Sequence, residues 1–163
     1  CGIGGFHQAM KLLGGECVFA SDIDEDCRKT YNANYGILPA GDITKIPAED
    51  IPAHDVLCGG FPCQAFSKAG NRLGFDDPTK GTLFFDICRV LEFHHPRYVL
   101  LENVRNLASH DHGKTWRIIH DKLNELGYNL LPYWCTVGRN YSQGWSGDAR
   151  CGVGALLCGL LCN

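Results

Sequence analysis

Short apolar runs alternate with helical patterns along this chain. Glu16 to Ala20, Asp55 to Cys58, Tyr98 to Leu101 and Asn129 to Val137 are strand-length and rich in Val, Leu, Tyr and Phe. Runs of this kind, bounded by Gly, Pro and Asp, read as β-strands. Helical signatures fill the intervals: one through about Leu13, one from Glu25 to Tyr35, one from Thr82 to Phe93 and one from about Lys114 to Leu126. In the third of these, Leu83, Phe84, Ile87, Val90 and Leu91 recur at helical spacing and make one apolar face. Pro96 interrupts that helix, and Gly127 ends the fourth. Strands alternating with helices predict an α/β fold with a parallel sheet covered on both faces. No internal repeat and no low-complexity linker breaks the pattern.

Residues able to do chemistry fall where these strands end. After Asp55-Val56-Leu57-Cys58 comes Gly59-Gly60-Phe61-Pro62-Cys63-Gln64-Ala65-Phe66-Ser67. Pro62 fixes its own φ and pushes Phe61 towards extended geometry, while the paired glycines leave room for close backbone approach. Open α/β sheets carry their chemistry on loops at strand carboxyl ends, so Cys63 is mounted as a nucleophilic thiolate would be. A structural cysteine buried in a turn is the other reading. The Tyr98 strand runs into Glu102-Asn103-Val104. A carboxylate there can act as an acid, with burial raising its pKa, or serve as a helix cap or ion-pair partner.

The amino-terminal segment offers a second group. Cys1-Gly2-Ile3-Gly4-Gly5-Phe6 leads into the first helix, an arrangement whose amides can face a ligand and which a simple turn would also produce. Asp22 lies 17 residues beyond Gly5, near the ~20-residue offset at which an acid meets a ribose hydroxyl. Alternatively, Asp22 or Asp24 caps the helix that opens at Glu25. Gly41-Asp42-Ile43 marks another strand end, where Asp42 also suits a turn. Ala69 to Thr79, rich in Gly, Asn, Asp and Pro, reads as a surface loop with Lys68 and Arg72 nearby.

The totals narrow the class. A chain of 163 residues with 45% apolar and 20% charged residues is enough for one globular domain. A net charge of −3 gives no overall electrostatic footprint for nucleic acid, so any such contact must be local. Ten cysteines without a Cys-x-x-Cys pair or a secretory leader fit a reduced, cytoplasmic protein. No apolar run approaches transmembrane length.

Taken in order, these segments resemble the DNA cytosine-5 methyltransferases, particularly the compact bacterial enzymes of restriction–modification systems. Gly2-Ile3-Gly4-Gly5-Phe6 is similar to the family's S-adenosylmethionine loop, Asp22 to its ribose-binding acid, and Asp42-Ile43 to the adenine contact. Gly60 to Ser67 is similar to the nucleophile motif, and Gly81-Thr82-Leu83-Phe84-Phe85 and Glu102-Asn103-Val104 to the two blocks that follow it. The resemblance implies an α/β, Rossmann-like methyltransferase fold over residues 1–137, with S-adenosylmethionine as cofactor and no metal. It implies Cys63 and Glu102 as catalytic residues. Cofactor contacts would come from Ile3, Gly4, Gly5, Asp22, Ile23, Asp42, Ile43, Pro62 and Leu83. Contacts to double-stranded DNA with a flipped cytosine would come from Phe61, Gln64, Ser67, Lys68, Arg72, Asn103 and Val104.

Both ends depart from the family pattern. The strand and the aromatic residue that precede the family's glycine loop are absent before Cys1, so the sheet is expected to be incomplete. Residues 138–163 lack the Gln-x-Arg-x-Arg block and the target-recognition domain, and turn abruptly to Gly, Cys and Leu. A shifted reading frame or a truncated gene, giving a loosely packed or disordered tail, is the expectation. Cys151, Cys158 and Cys162 match no common zinc spacing. On this reading the isolated chain is weakly active or inactive. A transfer RNA methyltransferase, a non-catalytic remnant, and a subunit completed by a partner in trans are the alternatives.

Overall fold

In the computed structural model, residues 1–62, 83–104, 107 and 109–130 are described, with the backbone alone of 135–136 and 154–161. The chain divides into two compact units, Cys1–Asp55 and Val56–Asn163.

The first unit carries two α-helices, α1 (Gly5–Leu12) and α2 (Glu25–Tyr35). The bounds of α2 follow from its caps. Asp24 accepts from the amides of Asp26 and Cys27, both at 2.9 Å, and Gly36 closes the helix at φ 70° with its N–H on the Asn32 carbonyl. The expected strand from Glu16 to Ala20 is not formed as a ladder. Among the described residues of this unit the pairing is a single parallel bridge, Ser21 to Ala40. The Ala40 amide donates to Ala20 and the Asp22 amide to Ala40. Towards Glu16 the parallel partner would be 36–39, where Gly36 closes α2 and Pro39 has no N–H to give. On the other side of the bridge the Asp42 carboxylate accepts from the Thr44 amide at 3.1 Å and hydroxyl at 2.8 Å, opening a 3-10 turn over Ile43–Lys45. Tyr31 is the largest buried side chain of this unit, with Pro39, Ala48 and Ile51 buried as well.

Among its described residues, the second unit is a sheet with two α-helices. Its elements are β1 (Val56–Gly60), α3 (Leu83–His94), β2 (Tyr98–Val104), α4 (Lys114–Glu125), β3 (Tyr128–Leu130), β4 (Cys135–Thr136) and β5 (Gly154–Leu161). The order is β1-β2-β5-β3, with β4 paired to β5. β1 and β2 are parallel, as expected for strands joined by a helical crossover, and their register runs from Val56 opposite Tyr98 to Gly60 opposite Glu102. The rest corrects the all-parallel expectation, since β5 is antiparallel to β2, β3 and β4. The loosely packed or disordered tail expected over 138–163 falls mostly outside what is described. Backbone 154–161 is a strand inside the sheet, and the remainder of 138–163 lies outside the described residues.

Packing in this unit follows simple periodicities. On α3, Phe84, Cys88 and Leu91 recur at i, i+4 and i+7 and are buried; on α4, Thr115, Ile119 and Leu123 do the same at i, i+4 and i+8. On β2, Val99, Leu101 and Asn103 are buried, while Tyr98, Glu102 and Val104 are exposed. The period of two sends alternate residues to opposite faces, and the core takes the odd-numbered set. Phe61, Phe84, Leu91, Leu101, Leu107, Ile119 and Tyr128 form the centre of that core. Tyr128 satisfies its buried hydroxyl by donating to the Pro96 carbonyl at 2.8 Å, and burial pushes its pKa up to about 12.

Candidate active site

The first group of site residues surrounds the glycine loop. Gly4 is buried at φ 103°, and a Cβ there would overlap the Tyr35 ring. The Tyr35 hydroxyl donates to the Gly4 carbonyl at 3.1 Å, and His7 stacks on the Tyr35 ring at 3.9 Å. His7 Nδ1 also pairs with the Tyr31 hydroxyl at 2.7 Å. The loop is therefore seated on an aromatic cluster contributed by α1 and α2. Its other side is open, because a Cβ at Gly2 or Gly5 would meet no atom within 4 Å. At Gly5 the first amides of α1 have no intrahelical acceptor, so this open side offers donors and a partial positive charge.

Asp22 is brought to the same loop. Its Oδ2 accepts from the Gly2 amide at 2.7 Å and from the Cys1 nitrogen at 3.0 Å, and its Oδ1 accepts from the Asp24 amide at 3.0 Å. Of the two acids that could cap α2, Asp24 does so and Asp22 faces the loop. Burial raises the pKa of Asp22, but hydrogen bonds, those from the Asp24 and Gly2 amides foremost, outweigh it, leaving a net lowering below the ordinary 3.8. Asp42 is also lowered, first by the Thr44 hydroxyl and then by its amide. Ile3 and Ile23, beside Gly4 and Asp22 in sequence, are exposed, and Ile43 is half-buried.

The depressed pKa of Asp22 gives a pH prediction. Its stabilising bonds are fully present above about pH 3.9, where the unfolded carboxylate is ionised. They are lost as pH falls through the lower folded value. Thermal unfolding of Asp22→Asn should therefore lie below wild type at pH 5–7, and the gap should close as pH falls below 3.8. A gap that widens towards low pH would contradict this account.

The second group lies where β1 and β2 end. Glu102 is exposed, because the alternation of β2 points it away from the core. Gly60 sits opposite it in register, and a Cβ on Gly60 would lie 3.3 Å from Glu102 Oε2. The bare glycine gives that carboxylate its room. Asn103, the next residue, is only 2% exposed. Its Nδ2 donates to the Phe61 carbonyl at 2.5 Å, and its Oδ1 accepts from the Val104 amide at 2.9 Å. The Phe61 ring is buried against Phe84 with centroids 5.4 Å apart, and half-buried Leu83 packs on the same core. Pro62 and Val104 are exposed. Cys63, Gln64, Ser67, Lys68 and Arg72 lie outside the described residues. Sequence reasoning gave no special place to Tyr35 or His7. Neither belongs to the motifs, and only the close contact with Gly4 reveals them.

Among the described residues, no group of three His, Cys, Asp or Glu side chains could hold a metal ion. No described helix is long and apolar enough to cross a membrane. What the geometry offers is an open, donor-lined glycine loop joined to a carboxylate in one unit, and an exposed carboxylate at a strand end in the other.

Comparison with known proteins shows the family to which the chain belongs. The family model for C-5 cytosine-specific DNA methylases matches residues 1–135. The chain is 56% identical over 126 residues to the type II methyltransferase M1.ScrFI of Lactococcus lactis subsp. cremoris, covering 77% of this chain and 31% of the relative. It is 47% identical over 129 residues to M.HhaI of Haemophilus parahaemolyticus, covering 79% and 39%. It therefore spans between about a third and two fifths of the length of these relatives. Among solved structures, S. pombe Dnmt2 methyltransferase superposes with a TM-score of 0.71 at 26% identity, covering 98% of this chain and 48% of the other. A prophage-encoded DNA modification methyltransferase from E. coli, at 19% identity and a TM-score of 0.67, shares the fold. With a methyltransferase fold, and with the glycine loop, Asp22 and Glu102 all inside the matched span, the chain belongs to the C-5 cytosine-specific DNA methylases.

Proposed function

We propose that this chain supplies the catalytic amino-terminal part of an enzyme that methylates carbon 5 of cytosine in DNA, within a restriction–modification system. The observation that carries the reading is the register Gly60 opposite Glu102. It sets an unobstructed carboxylate at the end of β2, one strand over from the segment that continues to Cys63. The fit of the glycine loop supports S-adenosylmethionine as the methyl donor. Its open side can admit the amino-acid portion, and Asp22, already ionised at the loop, can accept from ribose hydroxyls. Ile3, Ile23, Asp42 and Ile43 would flank the adenosine. When bound, the sulfonium supplies an activated methyl group.

The chain's own residues do the rest. Carbon 5 of cytosine is a weak nucleophile. Attack of the Cys63 thiolate on carbon 6 forms an S–C bond and moves the ring π pair towards carbon 5. Glu102 hydrogen-bonds or protonates ring nitrogen 3, so negative charge does not build on the ring. After carbon 5 takes the methyl group, loss of its proton to base restores the double bond and expels the thiolate. A cytosine stacked in duplex DNA cannot meet a thiolate in this way, so the base must be flipped out. Lys68 and Arg72 are the basic residues near the nucleophile in sequence that would hold phosphates.

The test is a chimera of residues 1–135 with the carboxyl-terminal remainder of M1.ScrFI. It should incorporate labelled methyl groups into cytosine of double-stranded DNA and not into transfer RNA. Incorporation into transfer RNA would redirect the substrate. A folded chimera inert on both, with no S-adenosylmethionine binding by calorimetry, would leave a non-catalytic module.

A further inference from the structure

Asn103 stands where the alternation of β2 calls for an apolar side chain, on the face shared by Val99 and Leu101. A buried carboxamide costs stability unless both its ends are bonded. Here the carbonyl oxygen takes the Val104 N–H at 2.9 Å, and the amino group donates to the Phe61 carbonyl at 2.5 Å. The backbone ladder between β1 and β2 ends at Gly60 opposite Glu102. Pro62 brings no N–H with which a backbone ladder could go on. The carboxamide thus fills the next rung, bridging a β2 donor and the first carbonyl beyond β1. These two bonds also fix which end is oxygen, since the flipped amide would set donor against donor and acceptor against acceptor.

We propose that Asn103 is a positioning residue: its buried carboxamide pins the Phe61–Pro62 peptide and so sets where β1 delivers the following chain relative to Glu102. The inference rests on the methyltransferase reading above, in which the chain two residues beyond Phe61 carries the attacking sulfur. A displacement of about 1 Å at such a group lowers rates by about a hundredfold. A core side chain that only filled space would have no such reach.

The experiment uses the whole chain and iodoacetamide as probe. Alkylation of Cys63 is followed against pH by peptide mass spectrometry in wild type, Asn103→Leu and Asn103→Ser. Buried Cys88, whose pKa burial pushes up to about 12, reports on folding in the same samples. Leucine keeps the volume and removes both hydrogen bonds; serine serves if the leucine variant exposes Cys88. The expected result is a change of about fivefold or more in the Cys63 rate, or a displaced pH midpoint, with Cys88 still protected. Rates and midpoints within twofold of wild type, in a variant that protects Cys88, would overturn the positioning role and leave the methyltransferase reading intact. A wild-type Cys63 titrating like a free thiol would instead count against the nucleophile itself, and the positioning role would fall with it.

Discussion

Replacing Cys63 by alanine is expected to reduce methyl incorporation by the chimera to background, a loss of at least about 10^4-fold. The size follows from the chemistry. Without a thiolate on carbon 6, carbon 5 has no enamine character, and no other step of the sequence can begin. Serine should fare nearly as badly, because its hydroxyl is not ionised at neutral pH. The cofactor contacts proposed for Gly4, Gly5 and Asp22 are made in the first unit, so S-adenosylmethionine binding by the alanine variant should match the parent in calorimetry. Cys27→Ala on α2 is the control for general thiol loss and should retain activity. Retention of more than a few per cent of activity in Cys63→Ala would rule out the covalent route. Loss of both activity and cofactor binding would point to a folding defect rather than a missing nucleophile.

Much of the frame was legible because local signals agreed with one another. Helix α2 has Asp24 before it, acids in its first turn and a glycine after it, and its bounds are those read from the sequence. The strand beginning at Tyr98 was legible as a strand but not in its faces. Tyr98-Val99-Leu100-Leu101 is uniformly apolar, so its pattern cannot say which face meets the core. The choice fell to the odd-numbered residues, and it exposed Glu102 and buried Asn103. The Glu16 run failed as a ladder because pairing depends on a partner elsewhere in the chain; in the parallel register of the Ser21–Ala40 bridge that partner is 36–39, which follows the Gly36 cap of α2 and contains Pro39, without an N–H. The apolar stretch near the end was set aside for its composition. Yet eight residues of Gly, Ala, Leu and Cys suit a strand paired on both sides, which is where the backbone of β5 runs. The contact of Tyr35 with Gly4 spans 31 residues of chain, and no local pattern encodes it.

That contact makes Gly4 the position where a single methyl group should do the most damage to the first unit. At φ 103° an L-residue is strained, at a cost of about 1–3 kcal/mol. The added Cβ would also fall within the Tyr35 ring, so Tyr35 must shift, releasing its bond to the Gly4 carbonyl and its stacking on His7. Gly4→Ala should therefore lower stability by about 2 kcal/mol or more. It should also abolish S-adenosylmethionine binding, because the loop can no longer seat on the cluster. Gly5→Ala is the informative contrast. It adds the same methyl group one residue later, at the start of α1, where nothing lies within 4 Å. Alanine there should leave folding unchanged or stabilise it by roughly 0.5 kcal/mol, while its methyl group takes space on the loop's open side. Calorimetric binding and thermal unfolding of the two variants thus separate the roles. Gly4→Ala should lose stability and binding together, whereas Gly5→Ala should lose binding alone. Undiminished binding in a well-folded Gly5→Ala protein would mean that the cofactor does not enter from that side.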